Sequence, residues 1–161
     1  AVHFATHLPQ LSWQATDQPL YLPDLSERLR RARLANLPQP LSLDVRTDTT
    51  LMQLYDGLFT ANTLHIMPWP LVEQLFGRLN QCHTAPAVLC IYGPFNYNDN
   101  FTSASNQAFD ASLKSRDPAM GIRDISAVIA QAAVAGFALQ QDHSMPANNR
   151  LLQFERSAVS P

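Results

Sequence analysis

Four short clusters of polar residues stand where an α/β fold carries out its chemistry. They are Thr16-Asp17, Asp44-Val45-Arg46, Ala61-Asn62-Thr63-Leu64-His65 and Tyr92-Gly93-Pro94-Phe95. Each closes a stretch that reads as a strand. Ligands of open α/β sheets bind outside the carboxyl ends of the strands, at the switch in strand order. A carboxylate at such a tip is a strong, acceptor-only partner. Asp17 therefore suits the two hydroxyls of a ribose, and Asp44 suits an adenine amino group. Each acid alone also reads as the cap of a turn or helix. The two in register favour a nucleotide-type cofactor.

His65 has the side chain for general-base work on a substrate hydroxyl or amine, because an imidazole titrates near neutrality. A buried structural histidine is the plainer alternative. The polar block from Asn96 to Asp124 is the candidate substrate side, following the strand that ends at Tyr92. Asn106 and Asp110 share one helix face. Arg116 and Arg123 have the fork geometry to clamp a carboxylate or phosphate. The bland alternatives pair Arg123 with Asp110 or Asp124 and make Asn106 a turn cap. Asn148 and Asn149 read either as turn residues or as groups reaching a pocket from the last hairpin. His3, His7, His83 and His143 show no metal-ligand spacing, so no metal is expected. No P-loop, Gly-x-Ser-x-Gly elbow or Cys-based nucleophile motif is present.

The elements that must position these groups alternate. Helical patterns fall on Val2 to His7, Pro23 to Ala35, Pro70 to Gln81, Ser105 to Ser115 and Ile122 to Ala135. Strand patterns fall on Leu11 to Ala15, Leu41 to Val45, Tyr55 to Ala61, Ala87 to Tyr92, Phe137 to His143 and Arg150 to Arg156. The continuous apolar run Ala87 to Tyr92 reads as a strand covered on both faces. Alternation implies a doubly wound, mostly parallel sheet. The short link between the last two strands implies an antiparallel C-terminal strand. That combination is the Rossmann-like, class I methyltransferase type of α/β fold.

Composition bounds the rest. The 161 residues suit a single domain over 1–161, with 46% hydrophobic residues. A net charge of −2 provides no basic field for nucleic acid. Arg28, Arg30, Arg31 and Arg33 read as a solvated helix face. Two cysteines, Cys82 and Cys90, form neither a disulfide framework nor a zinc site, which favours a cytoplasmic setting. No apolar run nears the roughly 20 residues of a membrane span.

These segments resemble the methyltransferase-like protein 26 family, also catalogued as domain of unknown function 938. The resemblance runs along essentially the whole chain. It is carried by Ala1-Val2-His3-Phe4-Ala5, Trp13-Gln14-Ala15-Thr16-Asp17 and Ala61-Asn62-Thr63-Leu64-His65-Ile66. The more specific carriers are Ser105-Asn106-Gln107-Ala108-Phe109-Asp110, Gly121-Ile122-Arg123-Asp124 and Met145-Pro146-Ala147-Asn148-Asn149. Met120 stands where the family usually has Trp. The resemblance implies a class I fold using S-adenosylmethionine, with Asp17 on the ribose and Asp44 and Val45 at the adenine. Ala61 and Asn62 would line the methionine side. Tyr92, Asn106, Asp110, Arg116, Arg123, Asn148 and Asn149 are the candidate substrate contacts.

The family's first strand and Gly-rich cofactor loop are expected upstream of Ala1, so the chain reads as N-terminally truncated. Losing a central strand leaves neighbouring backbone groups unpaired, so marginal stability of the isolated chain is expected. The expected activity is methyl transfer to a small molecule. A non-enzymatic binding module of the same fold is the alternative. A nicotinamide oxidoreductase sharing the ribose acid is disfavoured by the reversed terminal strand.

Overall fold

The computed structural model describes residues 1–47, 55–79 and 83–157. The chain divides into two compact units, Ala1–Asp48 and Thr49–Pro161. The end of the third helix pattern at Gln81, and Cys82, lie outside the described residues.

The first unit holds α1 (Val2–His7), β1 (Thr16–Asp17), α2 (Leu22–Ala32) and β2 (Leu41–Ser42). Pro23 lies in the first turn of α2, where its missing N–H costs nothing. The helix buries Leu29 against Ala5 and Leu37, with Trp13, Ala15 and Leu25 around them. Its arginines face solvent, and Glu27 pairs with Arg30 and Arg31 at 2.8 Å each. This is the solvated face expected from the sequence. β1 and β2 are parallel, with Asp17 opposite Ser42.

β1 falls just after the expected Leu11 to Ala15, and β2 covers only the first two residues of the expected Leu41 to Val45. Between Leu11 and Ala15 there is no ladder. Trp13 and Ala15 pack instead into the small core, and the Trp13 N–H donates to the Asn36 carbonyl at 2.8 Å. β2 stops at Ser42 because Asp44 opens a turn. Its side chain takes the Arg46 N–H at 2.9 Å and its carbonyl takes the Thr47 N–H at 3.1 Å.

The second unit contains β3 (Tyr55–Ala61), α3 (Trp69–Leu79), β4 (His83–Gly93) and β5 (Phe95–Asn96). It continues with α4 (Ala104–Arg116), β6 (Arg123–Asp124), α5 (Ile125–Val134), β7 (Ala138–Met145) and β8 (Asn149–Arg156). Its main sheet has the order β3-β4-β8-β7. β3 and β4 are parallel, and β8 is antiparallel to both β4 and β7. The reversed C-terminal strand is thus inserted between β4 and β7, as the short terminal link requires. β5 and β6 form a separate parallel pair.

One face of the sheet makes the core. Leu89, Ile91, Leu152 and Phe154 pack against Val72 and Phe76 of α3 and Val128 and Ala132 of α5. The opposite face is not fully covered, contrary to the reading of Ala87 to Tyr92. Val88 is 37% exposed and Phe59 is 39% exposed. The run is apolar on both sides, yet only its alternate members Ala87, Leu89 and Ile91 are buried.

Helix ends follow their capping residues. Ser103 accepts the Asn106 N–H at the start of α4. Asp124 accepts the Ser126 N–H at the start of α5. α5 therefore begins three residues after the expected Ile122, because Arg123 and Asp124 pair with β5. It ends at Gly136 (φ +83), whose N–H reaches the Ala133 carbonyl while Phe137 N–H reaches that of Ala132. That double closure satisfies two terminal carbonyls.

Candidate functional site

β3 runs out into a tight turn. Asn62 takes a left-handed backbone (φ +57) and donates its N–H to the Tyr92 carbonyl at 2.8 Å. Asn accepts this conformation more readily than most residues. A short 3₁₀ turn, Leu64–Ile66, follows and buries His65 to 6% exposure. The C-terminal end of β4 sits beside it. A Cβ built on Gly93 would lie 3.7 Å from His65 Nδ1 and 3.9 Å from Asn62 Oδ1. Both distances are ordinary contacts, so the end of β4 stands directly beside these two polar side chains.

An open cleft of about 530 Å³ lies over this turn. Asn62, His65 and Pro94 line one side. Ser105, Asn106 and Phe109 of α4 line another, and the β7–β8 turn closes it with Ala147, Asn148 and Asn149. Its size falls within the range of small-molecule sites. The β7–β8 turn has Ala147 at φ +57 and Asn148 at φ +56. Two successive positive φ values match the right-handed twist of a hairpin. Asn149 keeps an ordinary φ, so the unusual pair falls one residue earlier than Asn148-Asn149 suggests. The hairpin is braced by Arg150, which donates to Asp142 Oδ1 at 2.7 Å. Tyr97 donates its hydroxyl to Asp142 Oδ2 at 2.6 Å. Burial, then that bond, push the Tyr97 phenol up to about 12.

The turn carrying His65 is held from the 119–123 segment. Gly121 N–H donates to the His65 carbonyl at 2.9 Å. Arg123 Nε donates to the Leu64 carbonyl at 3.1 Å, and its Nη2 serves the carbonyls of Met67 and Ala119. Arg123 is thereby spent on main-chain acceptors, pairing with neither Asp110 nor Asp124. Asp124 caps α5. Asp110 is 4% exposed, accepts the Ile122 N–H at 2.8 Å and pairs with Lys114 at 2.7 Å. Arg116 lies at the exposed end of α4, with Nε 3.4 Å from the Ser112 carbonyl. The structure therefore brings Asn62, His65, Asn106, Asn148 and Asn149 together in the cleft. Ala61 and Tyr92 are their chain and ladder neighbours. Asp110, Arg116 and Arg123 are outside the cleft lining.

Four lining residues are not singled out by the sequence: Pro94, Ser105, Phe109 and Ala147. Ser105 and Phe109 fall within the candidate block from Asn96 to Asp124, Pro94 lies in the strand-end cluster Tyr92 to Phe95, and Ala147 precedes Asn148.

His65 makes an edge-on contact with the Phe109 ring, with centroids 5.3 Å apart. Neither ring nitrogen has a hydrogen bond among the described residues. Burial lowers its pKa below the usual histidine value, helped by the positive charges of Arg123 and then Arg116. The imidazole is thus neutral near neutral pH. Below the unfolded value of about 6.5 the unfolded chain takes up this proton before the folded one. Stability should consequently fall as pH drops from about 7 toward 5, and the fall should lessen in His65→Gln. Urea unfolding of both proteins across that range checks it.

In the first unit, Asp17 Oδ1 accepts the Gln18 N–H at 2.8 Å. Its other oxygen carries no hydrogen bond among the described residues. Asp44 is held by Arg46, with Nη2 2.6 Å from Oδ2 and Nε 3.0 Å from Oδ1. Both acids lie at the carboxyl ends of the parallel pair β1 and β2, with Val45 after Asp44 in the turn. No group of three or more His, Cys, Asp or Glu among the described residues is arranged to hold a metal. No described helix is long and apolar enough to cross a membrane.

Residues 1–156 match the family described as "Protein of unknown function (DUF938)". The chain belongs to the DUF938 family. Its fold is shared with solved methyltransferases. An O-methyltransferase family protein from Burkholderia thailandensis is 17% identical with a TM-score of 0.83, over 99% of this chain and 48% of that one. An O-methyltransferase family 2 protein from Planctomyces limnophilus, in complex with apigenin, is 15% identical with a TM-score of 0.83, over 96% and 46%. PigF with SAH is 12% identical with a TM-score of 0.80, over 96% and 46%. The DUF938 chain spans just under half the length of each. At these identities the likeness establishes the fold, that of the S-adenosylmethionine-dependent class I methyltransferases.

Proposed function

We propose that this DUF938 protein is an S-adenosylmethionine-dependent methyltransferase whose acceptor is a small molecule bearing a hydroxyl, received in the cleft over His65. The observation that carries this reading is His65 itself, a buried neutral imidazole with unspent ring nitrogens in a small-molecule-sized cleft at the carboxyl ends of β3 and β4. The likeness to O-methyltransferase family proteins, one in complex with apigenin, and to PigF with SAH supports it.

The acids of the first unit fit the nucleoside end of the cofactor. Asp17 has an oxygen available to ribose hydroxyls, and a carboxylate accepts from hydroxyls and amines alike. Asp44 and Val45 would take the adenine edge, with Asp44 sharing its lone pairs between Arg46 and the base. The bound cofactor supplies a methyl group already activated on a sulfonium sulfur.

The protein's part is small. The cleft must hold the acceptor oxygen in line and exclude water. His65 would take the hydroxyl proton as the acceptor oxygen is methylated, and would later pass that proton to water.

Asp17→Ala should weaken S-adenosylhomocysteine binding by about tenfold to a hundredfold, the usual worth of a hydrogen bond to a charged group. Calorimetric titration of the purified protein measures this. Unchanged affinity in the variant would remove Asp17 from the cofactor. A binding module without turnover is the second reading, favoured by the engagement of Asp44 with Arg46. Radiolabelled methyl transfer into small molecules of a cell extract separates the two, since a module transfers nothing.

A further inference from the structure

Asn106 is buried to 5% exposure yet lines the cleft. Its Nδ2 lies 3.1 Å from the main-chain carbonyl of Asn148 and 2.9 Å from Thr102 Oγ1. A carbonyl can only accept, which fixes which amide atom is the nitrogen. Both N–H groups are then spent within the protein. All that this amide has to offer a ligand is the lone pairs of Oδ1. Asn106 is a fixed acceptor, unable to turn and become a donor without breaking two bonds.

The rest of the cleft is uncharged. No Lys, Arg, Asp or Glu lines it among the described residues. The surrounding cations are committed or turned outward: Arg150 pairs with Asp142, Arg123 serves three carbonyls, Lys114 pairs with Asp110, and Arg116 stands at the exposed end of α4. A carboxylate or phosphate entering here would lose its water without gaining a partner, which is costly. An ammonium would meet a neutral imidazole with no carboxylate in the lining. Phe109, 37% exposed, together with Pro94 and Ala147, provides apolar surface for a ring.

We propose that the cleft selects an uncharged ring compound that donates a hydroxyl or amine hydrogen to Asn106 Oδ1, and rejects charged relatives of the same compound. This deepens the acceptor-site reading above and rests on it for its biological meaning, though not for its test. Asn106 is the specificity-determining residue. The bond to the Asn148 carbonyl also ties α4 to the β7–β8 turn, where Asn148 Nδ2 returns a bond to Ser105 Oγ at 3.1 Å.

The test is ligand-detected NMR on the whole purified chain at neutral pH, without cofactor. The probes are resorcinol, its ring-carboxylated relative and its aminomethyl relative. Resorcinol should bind at least about tenfold more tightly than either charged probe, as sites built for polar pairing discriminate. Asn106→Leu should weaken resorcinol by about tenfold. Phe109→Ala, at a partly exposed position that the fold tolerates, should weaken it by a similar factor through lost ring contact. Equal or tighter binding of the carboxylated probe overturns the proposal. So does an absence of resorcinol binding, or unchanged binding in a folded Asn106→Leu protein. A clear preference for resorcinol in a protein that transfers no methyl group would leave this inference standing and sink the methyltransferase reading instead.

Discussion

Phe154→Ala is expected to destabilise the second unit by about 3–5 kcal/mol, the range for emptying a packed aromatic site. Phe154 is fully buried at 0% exposure. It stands on β8, opposite Leu89 of β4 and Leu139 of β7. No polar neighbour can fill the space, because the site is enclosed by sheet and helix side chains of the main core. The effect reaches function through the same strand. β8 starts at Asn149, so the strand that fills the core also presents the turn closing the cleft. Denaturant unfolding, with the slope unchanged, measures the loss. A cost below about 1 kcal/mol would show that β8 is not the centre of the sheet core.

The same strand illustrates what the sequence discloses. The strand-like runs Phe137 to His143 and Arg150 to Arg156, and the short link between them, are local signals. They made the antiparallel terminal pair legible. The close of α5 at Gly136 was also legible, because a left-handed glycine acts within a few residues, whereas the cap of α4, Ser103, stands two residues before the expected start at Ser105. The covered and open faces of β4 were not legible. Ala87 to Tyr92 is apolar on both sides, and a periodicity argument has nothing to distinguish when every residue is apolar. Leu11 to Ala15 misled for a related reason. Trp13 and Ala15 alternate as strand residues do, yet they fill a small core beside α2.

For the candidate site, residue type showed where polar groups would gather, but the sequence does not say which of them are spent. Arg123 has the chemistry of an anion clamp. Its donors nevertheless close a turn 56 to 59 residues away in sequence, on Met67 and Leu64. Asn106 reads from sequence as a substrate contact or a turn cap; it lines the cleft, and the cap of α4 is Ser103. Such pairings depend on long-range contacts between α4, the turn after β3 and the β7–β8 turn. No local pattern encodes them.

On the reading of His65 as the base, His65→Gln should lower kcat by about a hundredfold or more, the usual contribution of a positioned general base. Gln keeps a polar group of similar reach but has no proton-accepting nitrogen, so the packing against Phe109 is largely preserved. The pH dependence separates a base from a bystander. In the wild-type protein the neutral imidazole is the active form. The rate should therefore hold at neutral pH and fall only on acidification through a value below the ordinary 6.5. That acid limb should vanish in His65→Gln along with most of the rate. Arg123→Met carries a linked expectation. It removes the guanidinium with the larger effect of the two that disfavour the imidazolium, so the limb should move toward higher pH. It also frees the carbonyls of Leu64 and Met67, so the turn loosens and kcat falls as well. A structural role for His65 predicts something else: lower stability, with any residual activity keeping the wild-type pH profile. Methyl transfer from labelled cofactor, followed against pH for the three proteins, decides between these outcomes. An unchanged acid limb in His65→Gln assigns the proton to another group.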